Sequence, residues 1–286
     1  MKSLKINSYA KINIGLKIIN QRNDSYHNIE TVFQELQFHD VITFTKIKKG
    51  YELSSNNEDF PIDSSNTCAK AYLSIKKQFP NLQGVKIHVN KDIPVGAGLG
   101  GGSSNAASTM IGINNLYNIG LTTNQLIDMS LSVGADVPFF IEGGIQHGQG
   151  IGEKLTPLKI KLPYTILLVF PNCGVNTGWA YSQIRNKLEI PIKALNFADL
   201  IEKDIIPFQL FENDFEKIVF STYPEIGLIK SKLLDNNARF ASLSGSGSTV
   251  FGFFNDEADA LSAELLFSKS YKTIITQPLF SRNYNP

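Results

Sequence analysis

The feature that most constrains the fold is a glycine-rich segment followed by a helix. Residues 94–105 read PVGAGLGGGSSN and hold five glycines in the seven positions 96–102. An apolar stripe then predicts a helix from about Ser103 to Tyr117, whose first turn Ser103 or Ser104 can cap. Glycine lets the backbone approach a ligand closely, and a helix N-terminus offers unpaired N–H groups with a partial positive charge. This combination predicts a phosphate-binding loop.

The loop differs from two familiar nucleotide-binding motifs. Gly96, Gly98 and Gly101 match the GxGxxG spacing of dinucleotide-binding proteins, but that motif expects an acidic residue about 20 positions later. The chain from Ile93 to Ile127 contains no charged side chain, so this acid is missing. A P-loop requires Gly-Lys-Ser/Thr, and the same stretch lacks the lysine. A purely structural turn needs fewer glycines. Any lysine that neutralises a bound phosphate must therefore come from another segment.

Residues 5–18 predict a β-strand with two different faces. Apolar and small side chains alternate with polar ones, as expected when one face is buried. Lys11 and Asn13 lie side by side on the polar face and are predicted to project away from the core. The pattern alone leaves two interpretations open, a solvated strand face or a pair of polar groups directed at a ligand.

The rest of the chain predicts alternating helices and strands in two parts. The predicted elements are a loop at 51–65, a helix at 68–79, a strand at 85–89, a helix at 123–133, a strand at 164–170 and a glycine-interrupted strand at 242–254. Pro157 and Pro163 mark the predicted boundary, which divides the chain into domains 1–158 and 159–286.

Two further segments combine glycine with polar groups. Asp136 lies in the sequence GADVP, between the end of a predicted helix and Pro138. Its carboxylate can simply order the turn, or it can act as a catalytic base that the rigid turn holds in place. The segment LSGSGST contains Gly245, Ser246 and Gly247, which predict either a backbone nest for an anion or an ordinary loop.

Composition argues against several classes of function. The net charge of +1 indicates neither a nucleic acid nor a membrane surface as partner. Cys68 and Cys173 form no CxxC pair, which predicts free thiols in a cytoplasmic protein, and the four histidines lack the spacing of a zinc site. Neither a signal peptide nor a membrane span is predicted. We therefore expect a soluble protein that binds small molecules and needs no obligate protein partner.

Together these motifs resemble those of the GHMP kinases, which phosphorylate small alcohols such as galactose, homoserine and mevalonate. The resemblance covers almost the whole chain. The matching segments, in the family's order, are AKINIGL at 10–16 with RNDSYH at 22–27, PVGAGLGGGSSNAAS at 94–108, GADVPFF at 134–140, GIGE at 150–153 and SGSGSTVFGFF at 244–254. The resemblance implies an α+β fold of two domains, with the active site in the cleft between them.

Within the family, segment 22–27 is similar to members whose alcohol carries a cytidine diphosphate. The resemblance then implies ATP-dependent phosphorylation of a tertiary hydroxyl of a methylerythritol group, on the route to isoprenoid precursors. It makes Asp136 the base and Lys11 the cation that stabilises this carboxylate and the developing alkoxide. Mg²⁺ is expected to arrive with ATP.

The resemblance assigns the other candidate residues as follows. ATP would be bound by Pro94, Val95, Gly96, Ala97, Gly98, Leu99, Gly100, Gly101, Gly102, Ser103 and Ser104, the last two also being candidate Mg²⁺ ligands. The phosphate nest would be Gly245, Ser246 and Gly247, and the substrate would be bound by Asn13, Tyr26, His27 and Tyr181.

Two positions depart from the family pattern, and three alternatives remain. Ser25 replaces the usual glycine of RxDGYH, and Asn176-Thr177 stands where Ser-Thr is common, so the substrate pocket can differ in shape. A kinase for mevalonate or homoserine is disfavoured by Tyr26 and His27, because a small alcohol has no base to stack. A non-catalytic ATP-binding regulator is disfavoured by the presence of both catalytic candidates. A redox dinucleotide-binding protein is the third alternative.

Overall fold

The protein consists of two β-sheets, each covered by helices. The computed structural model describes residues 3–184 and 196–281. Six strands within residues 3–157 form the first sheet, and four strands within residues 165–276 form the second. The fold is therefore α+β, as predicted. The proposed domain boundary between residues 158 and 159 falls in the connection between the two sheets and stays a prediction.

A long antiparallel hairpin organises the first sheet. Strands β1 (Ser3–Gln21) and β2 (His27–Ile47) pair along most of their length, and bulges interrupt the pairing at three places. The remaining elements of this half are β3 (Tyr51–Ser55), α1 (Thr67–Gln78), β4 (Gly84–Asn90), α2 (Gly101–Tyr117), α3 (Thr123–Ser130), α4 (Val137–Glu142), β5 (Ile145–Gly150) and β6 (Lys154–Pro157). The strand order is β3-β4-β2-β5-β6, with β1 paired to β2.

The second sheet is antiparallel throughout and has the strand order β10-β7-β9-β8. Its half of the chain contains β7 (Thr165–Phe170), α5 (Thr177–Ile184), α6 (Phe197–Ile201), a 3-10 turn (Phe208–Leu210), α7 (Glu216–Thr222), α8 (Pro224–Asp235), β8 (Phe240–Leu243), β9 (Val250–Phe254), α9 (Glu257–Phe267) and β10 (Lys272–Thr276).

Strand β7 reads TILLVF without alternation, because both of its faces are buried. Leu167 belongs to a core that contains the helices of the second half. Leu168, on the opposite face, belongs to a core that includes Ile12 and Ile14 of β1. The apolar run in the sequence therefore reflects a strand that lies between the two halves of the protein.

Backbone hydrogen bonds also join the two halves. After β10 the chain returns to β2, where the Gln37 amide donates to Gln277 and the Leu279 amide donates to Glu35. At β1 the Leu16 amide donates to the carbonyl of Glu212 (2.9 Å). The hairpin thus contacts both halves, and residues along it have fixed positions relative to both.

Four local predictions were wrong. Residues 51–55 are not a loop but strand β3, which pairs in parallel with β4. The strand predicted at 242–254 is two strands, β8 and β9, joined by a loop that the Ser244 amide closes onto Thr249. The helix predicted to reach residue 133 ends at Ser130. Helix α2 begins two residues earlier than predicted, and no side chain caps it.

Within residues 3–184 and 196–281, no helix is both long enough and apolar enough to cross a membrane.

Candidate active site

A cavity of about 830 Å³ lies between the two halves of the protein. The glycine-rich loop lines one side of it, together with Lys11 and Asn13 of β1. Residues of the second half, including Tyr181 of α5 and Gly245, line the other side. Every candidate site residue lies in the cavity wall except Ser104 and Gly247.

The glycine-rich loop leads into the N-terminus of α2, as predicted. Gly100 is the residue that precedes the first helical turn, so backbone N–H groups rather than a side chain are available there. Ser103 lines the cavity, whereas the Ser104 hydroxyl is buried and lies 2.8 Å from the Ser8 hydroxyl. Ser103 is therefore the better placed of the two hydroxyls for a ligand.

Gly98 is where the loop meets the second half of the protein. Its φ angle is +80°, and a Cβ atom there would lie 2.1 Å from the carbonyl oxygen of Ser244. The Ser244 hydroxyl donates to the Gly98 carbonyl at 2.9 Å. Only glycine fits this position, since any side chain would separate the two segments.

A buried carboxylate holds both ends of the glycine-rich loop. Asp40, at 0% exposure, accepts hydrogen bonds from the amides of Asp92 and Ile93 (both 2.8 Å), just before the loop. It also accepts one from the Asn105 side chain (2.9 Å), just after it. The Lys91 ammonium completes the set as a buried ion pair. The Asp40 carboxylate thus fixes the distance between the two ends of the glycine-rich loop.

Lys11 and Asn13 do not project into solvent, as the solvated strand face would require; they are 4% and 2% exposed. The Lys11 ammonium donates to Asn13 Oδ1 (2.6 Å) and to the Gly98 carbonyl (3.2 Å). It lies 3.8 Å from Asp136 Oδ2. Burial lowers the pKa of Lys11, and the negative charge of Asp136 opposes this shift. The polar face of the strand points into the cavity.

Asp136 lies directly before α4, at the turn that GADVP forms. Its side chain is 32% exposed and faces the cavity. A Cβ atom on Gly152, in the GIGE turn, would lie 3.6 Å from Asp136 Oδ1. The carboxylate therefore lies between the Lys11 ammonium and this glycine turn, with one side open to a ligand.

Three aromatic rings in the cavity wall, those of His27, Tyr181 and Phe215, form a cluster. The rings of His27 and Tyr181 stack at a centroid distance of 5.1 Å, and Tyr181 meets Phe215 edge-on at 4.9 Å. Tyr26 is 58% exposed at the rim. Ser25 adopts a φ of +70°, the left-handed region that favours glycine, which agrees with the glycine usual at this position in the family.

The second glycine segment approaches the same point from the other half. A Cβ atom on Gly245 would lie 3.4 Å from Asn13 Oδ1 and 3.6 Å from the Lys11 ammonium. Ser246 lines the cavity, and its hydroxyl lies 2.9 Å from that of Thr177. The Gly247 amide is already bonded to Ser244. Gly245 and Ser246 are thus the better candidates for contact with a phosphate.

Sequence patterns missed three buried polar residues that hold this geometry. Asp40 and Lys91 support the first loop. Asn213 supports the second loop, since its amide donates to the carbonyls of Leu243 and Gly245, both at 2.8 Å. The absence of charge from 93 to 127 predicted a lysine from elsewhere, and Lys91 stands two residues before that stretch. Asp40 and Asn213 carried no comparable signal.

Two family descriptions match the chain, GHMP kinases N terminal domain at residues 66–144 and GHMP kinases C terminal at residues 194–272. The 4-diphosphocytidyl-2-C-methyl-D-erythritol kinase of Prosthecochloris aestuarii is 40% identical over 285 residues, which cover 98% of this chain and 99% of the relative. The kinase of the same name from Chlorobium luteolum is 39% identical over 287 residues, with 98% and 99% covered.

Solved structures of kinases are also similar to this chain. A crystal structure of a 4-(cytidine 5'-diphospho)-2C-methyl-D-erythritol kinase superposes with a TM-score of 0.78 at 27% identity, covering 96% of this chain and 99% of that one. A mevalonate kinase from Methanococcus jannaschii superposes with a TM-score of 0.71 at 16% identity, covering 97% and 99%, and shares the fold.

Replacing Asp40 with Asn should lower the free energy of unfolding by about 3 kcal/mol, because the buried Lys91 ammonium would lose its countercharge. Urea unfolding measures this loss. The double variant Asp40→Asn/Lys91→Met should lose less than the single variants predict together. Asp24→Asn, which removes the exposed partner of Arg22, is the matched control and should barely move the urea midpoint. Additive losses at positions 40 and 91 would contradict the role of the pair.

Proposed function

Because this chain belongs to the GHMP kinase family, we propose that it transfers the γ-phosphoryl group of ATP to the tertiary hydroxyl of 4-diphosphocytidyl-2-C-methyl-D-erythritol. The observation that carries this proposal is the position of the Lys11–Asp136 pair. The pair lines one cavity together with the glycine-rich loop, whose Gly98 carbonyl accepts a hydrogen bond from Lys11, and with the aromatic cluster. A phosphate donor and a base-bearing alcohol would therefore meet at this pair.

The glycine-rich loop suits the triphosphate of ATP. Phosphoryl transfer needs positioning and charge stabilisation more than covalent chemistry. The N–H groups at the start of α2 supply the first, and the Lys11 ammonium in the cavity wall supplies the second. We propose that Gly245 and Ser246 approach the transferred group from the opposite side.

Asp136 is proposed as the general base. As the alcohol oxygen attacks the γ-phosphorus and the bond to the β–γ bridging oxygen breaks, the hydroxyl proton passes to the carboxylate, and ADP leaves. The Lys11 ammonium, 3.8 Å from Asp136 Oδ2, stabilises the negative charge that develops on the alcohol oxygen. The Lys11 ammonium thus lies close to both the proposed base and the reacting groups.

The aromatic cluster is proposed to bind the cytidine. The ring of Tyr26 can stack on the base, because the side chain is exposed and lines the cavity. His27 and Tyr181, already stacked together, can form the wall beside it. The Asn13 amide also lines the cavity and is proposed to contact the polyol part of the substrate.

We propose that Mg²⁺ reaches the site with ATP. Among the described residues, no group of three His, Cys, Asp or Glu side chains could hold a metal ion. The Ser103 hydroxyl, in the cavity wall, is the side chain that we propose as a ligand. When bound, Mg²⁺ would neutralise charge on the phosphate oxygens.

Release of ADP from Mg-ATP by the purified protein tests the proposal. We expect turnover with 4-diphosphocytidyl-2-C-methyl-D-erythritol and none with mevalonate or homoserine. Turnover with either of the small alcohols would reject the proposed substrate but keep the kinase. If all three alcohols are inert, the chain would be an ATP-binding protein without this activity.

Asp136→Ala should lower kcat by at least ~10²-fold, the usual contribution of general acid–base catalysis, with little change in the KM for ATP. Steady-state kinetics measures both quantities. Asp235→Ala, at the exposed end of α8, is the control and should have wild-type activity. A loss below about threefold at Asp136 would rule out the general base.

Tyr26→Ala should raise the KM for the cytidyl substrate about tenfold and leave the KM for ATP unchanged, because stacking on one base contributes roughly 1–3 kcal/mol. Leu265→Ala, at another exposed apolar residue outside the cavity, is the matched control. Equal changes in both KM values would refute stacking on the cytosine.

A further inference from the structure

Strand β1, which carries Lys11 and Asn13, contains a bulge at Gly15. The β1–β2 register shifts between Ile14 and Leu16, so Gly15 is an extra residue without a partner in the ladder. Its carbonyl accepts a hydrogen bond from the Thr31 hydroxyl at 2.6 Å, on the neighbouring strand. Thr31 has no exposed surface. The hydroxyl therefore satisfies a backbone group that the bulge leaves unpaired.

The Thr31 hydroxyl has a second partner, the Asn13 side chain. The Asn13 Nδ2 group donates to Thr31 Oγ1 at 2.9 Å. Asn13 Oδ1 accepts from the Lys11 ammonium at 2.6 Å. A chain of three hydrogen bonds thus runs from Lys11 through Asn13 and Thr31 to the carbonyl of Gly15.

The direction of this chain is fixed at both ends. A carbonyl can only accept, so the Thr31 hydroxyl must donate its single proton to the Gly15 carbonyl. Its oxygen can then only accept from the Asn13 amide. Asn13 must then turn its NH₂ group toward Thr31 and its oxygen toward Lys11. An ammonium can only donate, so this orientation of the amide is the one that suits Lys11. The two end groups require the same orientation.

We propose that Thr31 is a positioning residue: its hydroxyl fixes the orientation of the Asn13 amide and thereby keeps an acceptor oxygen on the Lys11 ammonium. Nothing in the reaction requires Thr31 to touch a substrate, and it does not line the cavity. Its effect on catalysis rests on the proposed kinase function, whereas its effect on Lys11 does not.

Burial makes this acceptor important for Lys11. The pKa of Lys11 is lowered by desolvation, so loss of a charge-assisted hydrogen bond should lower it further. The titratable groups around it are Asp136 at 3.8 Å, Glu35 directly opposite on β2, and Tyr181 and Lys91 elsewhere in the cavity wall. The hydrogen bonds of Thr31 in this chain go to Asn13 and Gly15, so a change at position 31 acts on Lys11 through Asn13.

The test is an NMR titration of Lys11 with ¹³C-labelled lysine side chains, in which Lys11→Arg assigns the signal. Thr31→Ser and Thr31→Cys differ in one atom, and a thiol is a weak acceptor and donor. We expect Thr31→Ser to keep the wild-type pKa and Thr31→Cys to lower it by about one unit, equivalent to one hydrogen bond to a charged group. Thr31→Val should do the same or more.

Kinetics provide a second readout. Because the protonated lysine is the active form, a lower pKa moves the alkaline limb of the kcat profile to lower pH. In Thr31→Cys we expect kcat to fall about tenfold near that limb, while Thr31→Ser stays near wild type. Thr165→Val is the matched control, since Thr165 is also buried and accepts from a side-chain amide, that of Gln277, but lies outside the cavity. It should change neither quantity.

The outcomes separate the two proposals. If the serine and cysteine variants share the wild-type Lys11 pKa and pH profile, Thr31 only satisfies the bulge and the positioning role is wrong. That comparison does not need Thr31→Val to fold. If the wild type lacks turnover but the Lys11 pKa follows the residue at position 31, the kinase proposal fails and the positioning role stands.

Discussion

A buried ammonium needs acceptors and a countercharge, because leaving it unpaired in the interior costs several kcal/mol. Lys11 obtains them from three separate parts of the chain: Asn13 on its own strand, the Gly98 carbonyl of the glycine-rich loop, and Asp136 before α4. Each of these contacts restricts where its segment can lie. Three segments therefore meet at Lys11 Nζ: the proposed phosphate loop, the turn with the proposed base, and strand β1. The rest of the cavity is arranged around this atom.

The long hairpin makes this arrangement possible. Strand β1 belongs to the first sheet, yet one of its faces packs on β7 of the second half, and its bulge at Gly15 lets the Leu16 amide bond to Glu212. The same strand therefore fixes Lys11 relative to both halves. From the second half, Gly245 approaches so closely that a Cβ atom on it would lie 3.4 Å from Asn13 Oδ1 and 3.6 Å from the Lys11 ammonium. The Asn213 amide holds Gly245 there. The cleft is a consequence of two sheets packing on one strand.

The sequence predicted an element correctly where a local pattern of residues determines its structure. Five glycines before a helix predicted the loop and α2, and alternation along β1 correctly placed Lys11 and Asn13 on one face. It did not show that this face is buried, because that depends on a second half more than 150 residues away in the chain. Asp40 lies 51 positions before Lys91, and nothing in either segment indicates the pair. The split of 242–254 into two strands likewise depends on the loop's contact with Gly98.

The central claim is that ATP and the alcohol meet at the Lys11–Asp136 pair. A crystal structure with a non-hydrolysable ATP analogue, Mg²⁺ and 4-diphosphocytidyl-2-C-methyl-D-erythritol tests it most directly. We expect the triphosphate along residues 94–104, the γ-phosphate within hydrogen-bond distance of the Lys11 ammonium, and the tertiary hydroxyl within hydrogen-bond distance of the Asp136 carboxylate. A triphosphate bound away from that loop, or a tertiary hydroxyl out of reach of Asp136, would contradict it.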